Sequence, residues 1–320
     1  MVVTKQAFLL VYTVTCGLLV FPGCKSDTAI DAKKDTVVVL DYGDSARRPL
    51  RYQIRDGSMT TSTLELSTSS MTTTTGDGEE LTDAPTLRFV VSSGPAIKLP
   101  NGNLRLDVRI VDAEAVVPPG FEPQVESDLN QSAALLRDVG GWIEVDDRGN
   151  TIRSELNQAA KNPNVPTRLL MTIVHARTSL ARVVFPAASV GLGAVWEARK
   201  QLKLYGFEIQ RTDRYTLIDR NADDVKIKVD INHTAPEQTL TFVEDGVESA
   251  LKSLSTTARG EVTLNLKALE GNARVEGEST QALTVKTGDV TEKIQLDSAF
   301  QLKMDVSYEA SQRLEHPVDP

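Results

Sequence analysis

Val225-Lys226-Ile227-Lys228-Val229-Asp230-Ile231-Asn232 decides the fold. Apolar and polar residues alternate without a break, so Val225, Ile227, Val229 and Ile231 share one face of an extended strand, and the charged and amide residues share the other. The same period of two runs through Leu104, Leu106, Val108 and Ile110, through Val262, Leu264 and Leu266, and through Phe300, Leu302, Met304, Val306 and Tyr308. Strands of a parallel sheet covered on both faces read as continuous apolar runs, so this alternation predicts half-buried antiparallel strands.

Turn chemistry separates the strands. Pro100-Asn101-Gly102-Asn103 supplies the positive backbone angles of a tight reversal, and Asp146-Asp147-Arg148-Gly149-Asn150 reverses the chain between Trp142–Val145 and Thr151–Arg153. Asn221-Ala222-Asp223-Asp224, Glu270-Gly271-Asn272 and Thr287-Gly288-Asp289 read as three more turns. Thr60 to Thr75, almost all Thr and Ser, fits a solvated strand face better than a glycosylated stalk, because Leu64 and Leu66 keep the two-residue spacing. Its tip, Thr72 to Glu80, reads as a loop.

Two stretches break the period. Gln124 to Val139 carries Val125, Leu129, Ala133 and Leu136 at helical spacing and ends at Gly140-Gly141. Pro166 to Val183 carries Leu169, Ile173, Ala176 and Leu180 between a proline suited to a first turn and Pro186. The layout predicts an α+β body over residues 37–310: a curved, half-barrel-like antiparallel sheet with two helices on one face. Its strands fall into two blocks, 37–116 and 194–310, joined by the helical segment 124–183, with a polar tail at 311–320.

The amino terminus sets the compartment. Lys5, the apolar run Ala7 to Phe21 and small residues at 23–24 have the form of an export signal over residues 1–23, too short for a membrane span. Leu18-Leu19-Val20-Phe21-Pro22-Gly23-Cys24 resembles the lipobox of bacterial lipoproteins. That resemblance implies acylation of Cys24, a polar tether over 24–36, and a protein anchored in the cell envelope, with Lys25 favouring the outer membrane. The chain has two cysteines, and Cys16 lies within the signal, so the mature body is expected to hold neither a disulfide nor a thiolate metal site. A net charge of −9 argues against nucleic acid and against direct adsorption to anionic headgroups, which leaves a lipid on Cys24 as the membrane contact.

Phe185-Pro186-Ala187-Ala188-Ser189-Val190-Gly191-Leu192-Gly193-Ala194-Val195-Trp196, the hairpin around Tyr215-Thr216-Leu217 and the late Gly260–Leu266 strand together resemble a family of uncharacterised bacterial lipoproteins. The resemblance spans most of residues 47 to 308 and implies an exported, strand-rich body with no assigned activity. In layout alone the chain is similar to the LolA-like half-barrel lipid carriers of the bacterial periplasm, a likeness of fold and not of site.

Residues suited to catalysis are sparse. Only His175, His233 and His316 titrate near neutrality, and no Gly-x-Ser-x-Gly elbow or His-Glu-x-x-His pair occurs. Asp219 to Asp224 is superficially like the start of a calcium loop, but Asp224 and Asp230 stand where such a loop needs glycine and glutamate. No catalytic residue, metal ligand or cofactor is nominated. Trp142, beside Gly140-Gly141, and Trp196, after Gly191 and Gly193, are the candidate ligand-binding residues, each also readable as a core anchor. The expectation is a non-enzymatic envelope lipoprotein that meets another envelope protein. The alternative is a carrier or sensor holding a lipid or other hydrophobic molecule inside the half-barrel. Inward Leu, Val and Ile favour a filled core, whereas small inward residues would open a cavity.

Overall fold

Alternating segments of this kind cannot bury their apolar faces singly, and here they pair into one sheet. The structure, a computed structural model, describes residues 36–309 apart from 55–56, 75–77, 120, 122, 158–164, 166–169, 171–172, 174–181, 205–206, 243–246 and 288–289. The strands are β1 (Thr36–Asp41), β2 (Met59–Thr74), β3 (Gly78–Asp83), β4 (Thr86–Ser93), β5 (Ile97–Lys98), β6 (Leu104–Val116), β7 (Gly140–Val145) and β8 (Thr151–Leu156). They continue with β9 (Val195–Leu204), β10 (Phe207–Asn221), β11 (Asp224–Ala235), β12 (Gln238–Phe242), β13 (Val247–Asn265), β14 (Asn272–Thr287) and β15 (Val290–Glu309). Helix α1 spans Pro123–Ala134.

The sheet runs β1-β9-β10-β11-β13-β14-β15-β2-β4-β6-β7-β8, with β12, β3 and β5 paired off this path. Each strand pairing among the described residues is antiparallel, as the alternation predicts. The two strand blocks merge where β15 pairs with β2 over Met59–Thr74, Leu302 opposite Leu66 and Met304 opposite Leu64. The expected turns at 100–103, 146–150 and 221–224 close where the sequence places them, and Gly288-Asp289 of another lie outside the described residues. Leu99 N–H donates to Asn103 O, Asp146 N–H donates to Asn150 O, and Asn221 faces Asp224 across the β10–β11 hairpin. Thr72 to Glu80 differs from expectation: β2 runs on to Thr74 and β3 starts at Gly78, the two residues paired in register.

The expected antiparallel sheet is present and is not closed into a barrel, but the α+β class needs correction, since the body is mostly β. One complete helix stands among the described residues where two were expected. Helix α1 starts one residue before the expected 124–139 and stops at Ala134, because the chain must turn into β7. Asp138 takes a positive φ of 66°, its N–H donates to Ile110 O, and Ile110 N–H donates to Val139 O. Asn130 docks the helix by imitating a strand residue: Ala115 N–H donates to its Oδ1 at 2.9 Å and its Nδ2 donates to Ala115 O at 3.3 Å. The expected helix at 166–183 falls largely outside the described residues. Of it, Leu170 and Ile173 are helical and buried in the main core, and residues 182–186 are irregular.

Two irregular segments fasten the ends of the open sheet to one another. Residues 47–54 leave a bridge between Arg48 and Val190, donate Tyr52 N–H to Asp147 O in the β7–β8 turn, and donate Gln53 N–H to Leu266 O after β13. Arg51 pins this strap, giving hydrogen bonds to Pro186 O at 2.9 Å and Ala187 O at 2.7 Å and pairing with Asp147. Phe185 N–H meets Arg148 O, and the Tyr52 hydroxyl donates to Val183 O at 3.0 Å. Gly149 is required at this junction, with φ of 90° and Val183 O only 2.7 Å from where a Cβ would stand. One apolar cluster therefore includes inward residues of β2, β4, β6, β10, β11, β13, β14 and β15 together with the strap residues Leu50, Tyr52 and Phe185.

Candidate functional site

The two candidate tryptophans have different surroundings. Trp196 lies on the inward face of β9 with no exposed surface. Its Nε1 donates to Val184 O at 2.8 Å, and its ring stacks on Tyr215 with centroids 5.5 Å apart. Every part of the indole is engaged by protein, as expected of a core anchor. Trp142 lies half-buried on β7, with the Arg105 guanidinium 4.5 Å from its ring centroid and Arg153 at 5.3 Å. The register opposes Trp142 to Asp107 and Glu144 to both Arg105 and Arg153, so this ring belongs to a charged outer surface. The structure does not bring the two tryptophans together. Cys24, His175 and His316 lie outside the described residues.

Electrostatic perturbations among the described residues have structural causes. Burial pushes the Tyr52 hydroxyl far above its usual range, and burial likewise raises Tyr308. Hydrogen bonds from Asn103 and then Asn101 hold the Glu144 carboxyl below its usual value. Arg211 and Asp213 form a buried ion pair on the inward face of β10, with Arg211 Nε donating to Asp213 Oδ1 at 2.8 Å and the Tyr215 hydroxyl to Asp213 Oδ2 at 3.2 Å. No group of three His, Cys, Asp or Glu residues suited to a metal occurs among the described residues. Asp219 to Asp224 is the end of a strand and a hairpin turn.

Two other features are candidates. The first is the β1 edge of the sheet. Among the described residues β1 pairs with β9 alone, Val37 and Val39 lean on the main core, and Val38 (40% exposed), Leu40 (47%) and Tyr42 (45%) are open. Leu192 and Ile218 add exposed apolar surface nearby, since Tyr42 O accepts from Gly191 N–H and Gly193 N–H donates to Leu217 O. The opposite edge, β8, carries Arg153 and Glu155.

The second is inside the sheet. Register carries one inward row across six strands: Arg211 on β10, His233 on β11, Thr256 on β13, Ser279 on β14, Ser298 on β15 and Ser70 on β2. All six are buried, and Thr256 and Ser279 share a 2.8 Å hydrogen bond. One row farther on, Gln281 and Thr72 flank Leu296. This polar belt separates the main core from a second apolar cluster formed by Phe207, Ile209, Leu251, Leu254, Leu283 and Ile294. Sequence reading missed it, although the signal was present: the period that makes Val275 inward also makes Ser279 and Gln281 inward before Leu283.

No family model and no curated protein matches the chain. Among solved structures it has a slight likeness to OpdO of Pseudomonas aeruginosa, at 10% identity over 80% of this chain and 98% of that one. The TM-score is 0.17, too low to carry an argument about fold or function. No described helix is long and apolar enough to cross a membrane, which says nothing of β-barrels.

Proposed function

We propose that the chain is a non-enzymatic cell-envelope protein, exported and held at a membrane by a lipid on Cys24, which captures another envelope protein by accepting that partner's extended strand along β1. The observation supporting this reading is the β1 edge. A strand paired on one side offers a row of unpaired backbone groups, and soluble proteins blunt such edges with lysine, proline or charge. Thr36–Leu40 has no lysine, proline or charge, Asp41 being the strand's last residue, and Val38 and Leu40 are exposed on the outer face. Strand addition supplies backbone hydrogen bonds, while alternate side chains supply selectivity. Position agrees with this use. The eleven residues Lys25–Asp35 reach at most about 40 Å, so a lipid on Cys24 keeps the β1 edge near the bilayer surface.

The test is photocrosslinking in the native envelope from a benzoylphenylalanine placed at Val38 or Leu40, with Ile152 on β8 as control. One discrete adduct from the β1 sites, lost when Val37→Pro removes an edge N–H, is the expected result. Equal adducts from β8, or none from β1, would sink the reading.

A further inference from the structure

We propose that the polar belt inside the sheet is a binding site for the uncharged polyol head of an amphipathic molecule, of the monoacylglycerol class. Inward positions below the belt hold large apolar side chains such as Leu64, Leu66, Leu302 and Met304. At the belt they become Ser70, Ser279, Ser298 and Thr256, shorter side chains that carry hydroxyl groups. Gln281, 1% exposed, has neither its Oε1 nor its Nε2 bonded among the described residues, and Ser70, Ser298 and Thr72 hydroxyls are equally unpartnered and buried. Leaving such a group unpaired costs about 1–3 kcal/mol, so a set of four on one face calls for a partner with its own donors and acceptors.

The chemistry of the belt selects the class. Hydroxyls and a carboxamide both donate and accept, which suits an alcohol and leaves a full charge uncompensated. The belt's charged pair, Arg211 with Asp213, is already mutually satisfied. Apolar clusters above and below the belt suit an acyl chain continuing from the head. With 5% aromatic residues the chain has little to stack against a sugar ring, so a small open polyol fits better than a pyranose. This site is separate from the β1 edge, and neither experiment decides the other.

The test is titration of the full chain with 1-monooctanoylglycerol below its micelle concentration, read as the shift in Tm, alongside octanoate and glycerol. The expected result is a saturable rise with monooctanoylglycerol, binding at least tenfold weaker with octanoate, and no shift with glycerol at equal concentration. Gln281→Leu should weaken monooctanoylglycerol at least tenfold while the unliganded protein stays at least as stable. Ser298→Ala, a smaller change, should weaken it several-fold and serves if the first variant does not fold. No shift with monooctanoylglycerol up to its solubility, an equal shift with octanoate, or unchanged binding in the variants would make the belt a hydrated seam only and overturn the proposal.

Discussion

Replacing Trp196 tests whether this ring is a structural anchor. The indole has no exposed surface, stacks on Tyr215 and bonds Val184 O. Trp196→Ala removes the largest fully buried side chain and leaves a cavity, a change that costs about 3–5 kcal/mol in packed cores. Trp196→Phe keeps an aromatic body but strands the Val184 carbonyl, for about 1–3 kcal/mol. Val184 sits on the irregular segment that ties the β7–β8 turn to the core, so the loss should loosen that junction first. Trp142→Ala gives the comparison. It removes two guanidinium contacts at a partly exposed ring, each about 0.5–1 kcal/mol, without opening the core. Urea unfolding followed by far-UV circular dichroism reads all three, with a lower midpoint at constant slope marking a pure stability change. A Trp196→Phe protein within 0.5 kcal/mol of the parent, or a Trp196→Ala protein no weaker than Trp142→Ala, would refute the anchor reading and return Trp196 to the ligand candidates.

Asp213→Asn should cost about 3–5 kcal/mol because it removes the carboxylate charge that pairs with the buried Arg211, whereas the double change Arg211→Met with Asp213→Leu should recover most of that loss; urea midpoints of the three proteins decide. Asn103 and Asn101 depress the folded-state Glu144 carboxyl below its ordinary 4.5, so its contribution is full above that value and is lost as pH falls through the folded one. Glu144→Gln should therefore flatten the pH dependence of stability below about 4.5 and leave it unchanged near neutrality, measured as Tm against pH. Cys24→Ala should move the protein from the membrane pellet to the soluble envelope fraction, and an unchanged distribution would remove lipid anchoring from the account.

Much of the fold was legible because a period of two is a local property. Val225 to Ile231 fixes which side chains face inward without reference to any other strand, and Asp146 to Asn150 forms its turn from its own side chains, Asp146 Oδ1 accepting from Arg148 and Asn150 N–H. Strand order is not local. Nothing in Leu64 or Leu66 announces that Met304 and Leu302 will lie opposite, and nothing in the valines of β1 says that a strand from the first block will join β9. Helical spacing misled for a related reason. Gln124 to Val139 keeps its apolar period past Ala134, but Asp138 and Val139 are claimed by backbone groups of Ile110, a partner that lies far off in sequence. Trp142 was ambiguous because its face depends on charges brought in by β6 and β8.

The polar belt was the least legible feature because it breaks the rule by which the rest was read. Reading inward positions as apolar identifies Val275 and Leu283 and passes over Ser279 and Gln281, which share their face. A sequence selected only to fill this sheet would place apolar residues there, since an unpaired buried polar atom is destabilising and an apolar residue of similar size is not. Natural sequences break local rules chiefly at functional sites. The belt also crosses several strands at one height, Ser279, Ser298 and Ser70 lying directly opposite one another through two pairings. Three serines in three separate stretches of sequence become one row only when β14, β15 and β2 pair in this register. A slip of one residue would turn them to the outer face. The row that makes the interior polar is therefore set by the same register that fills the main core with Leu302, Met304, Leu64 and Leu66. Belt variants should alter ligand binding while leaving strand pairing intact.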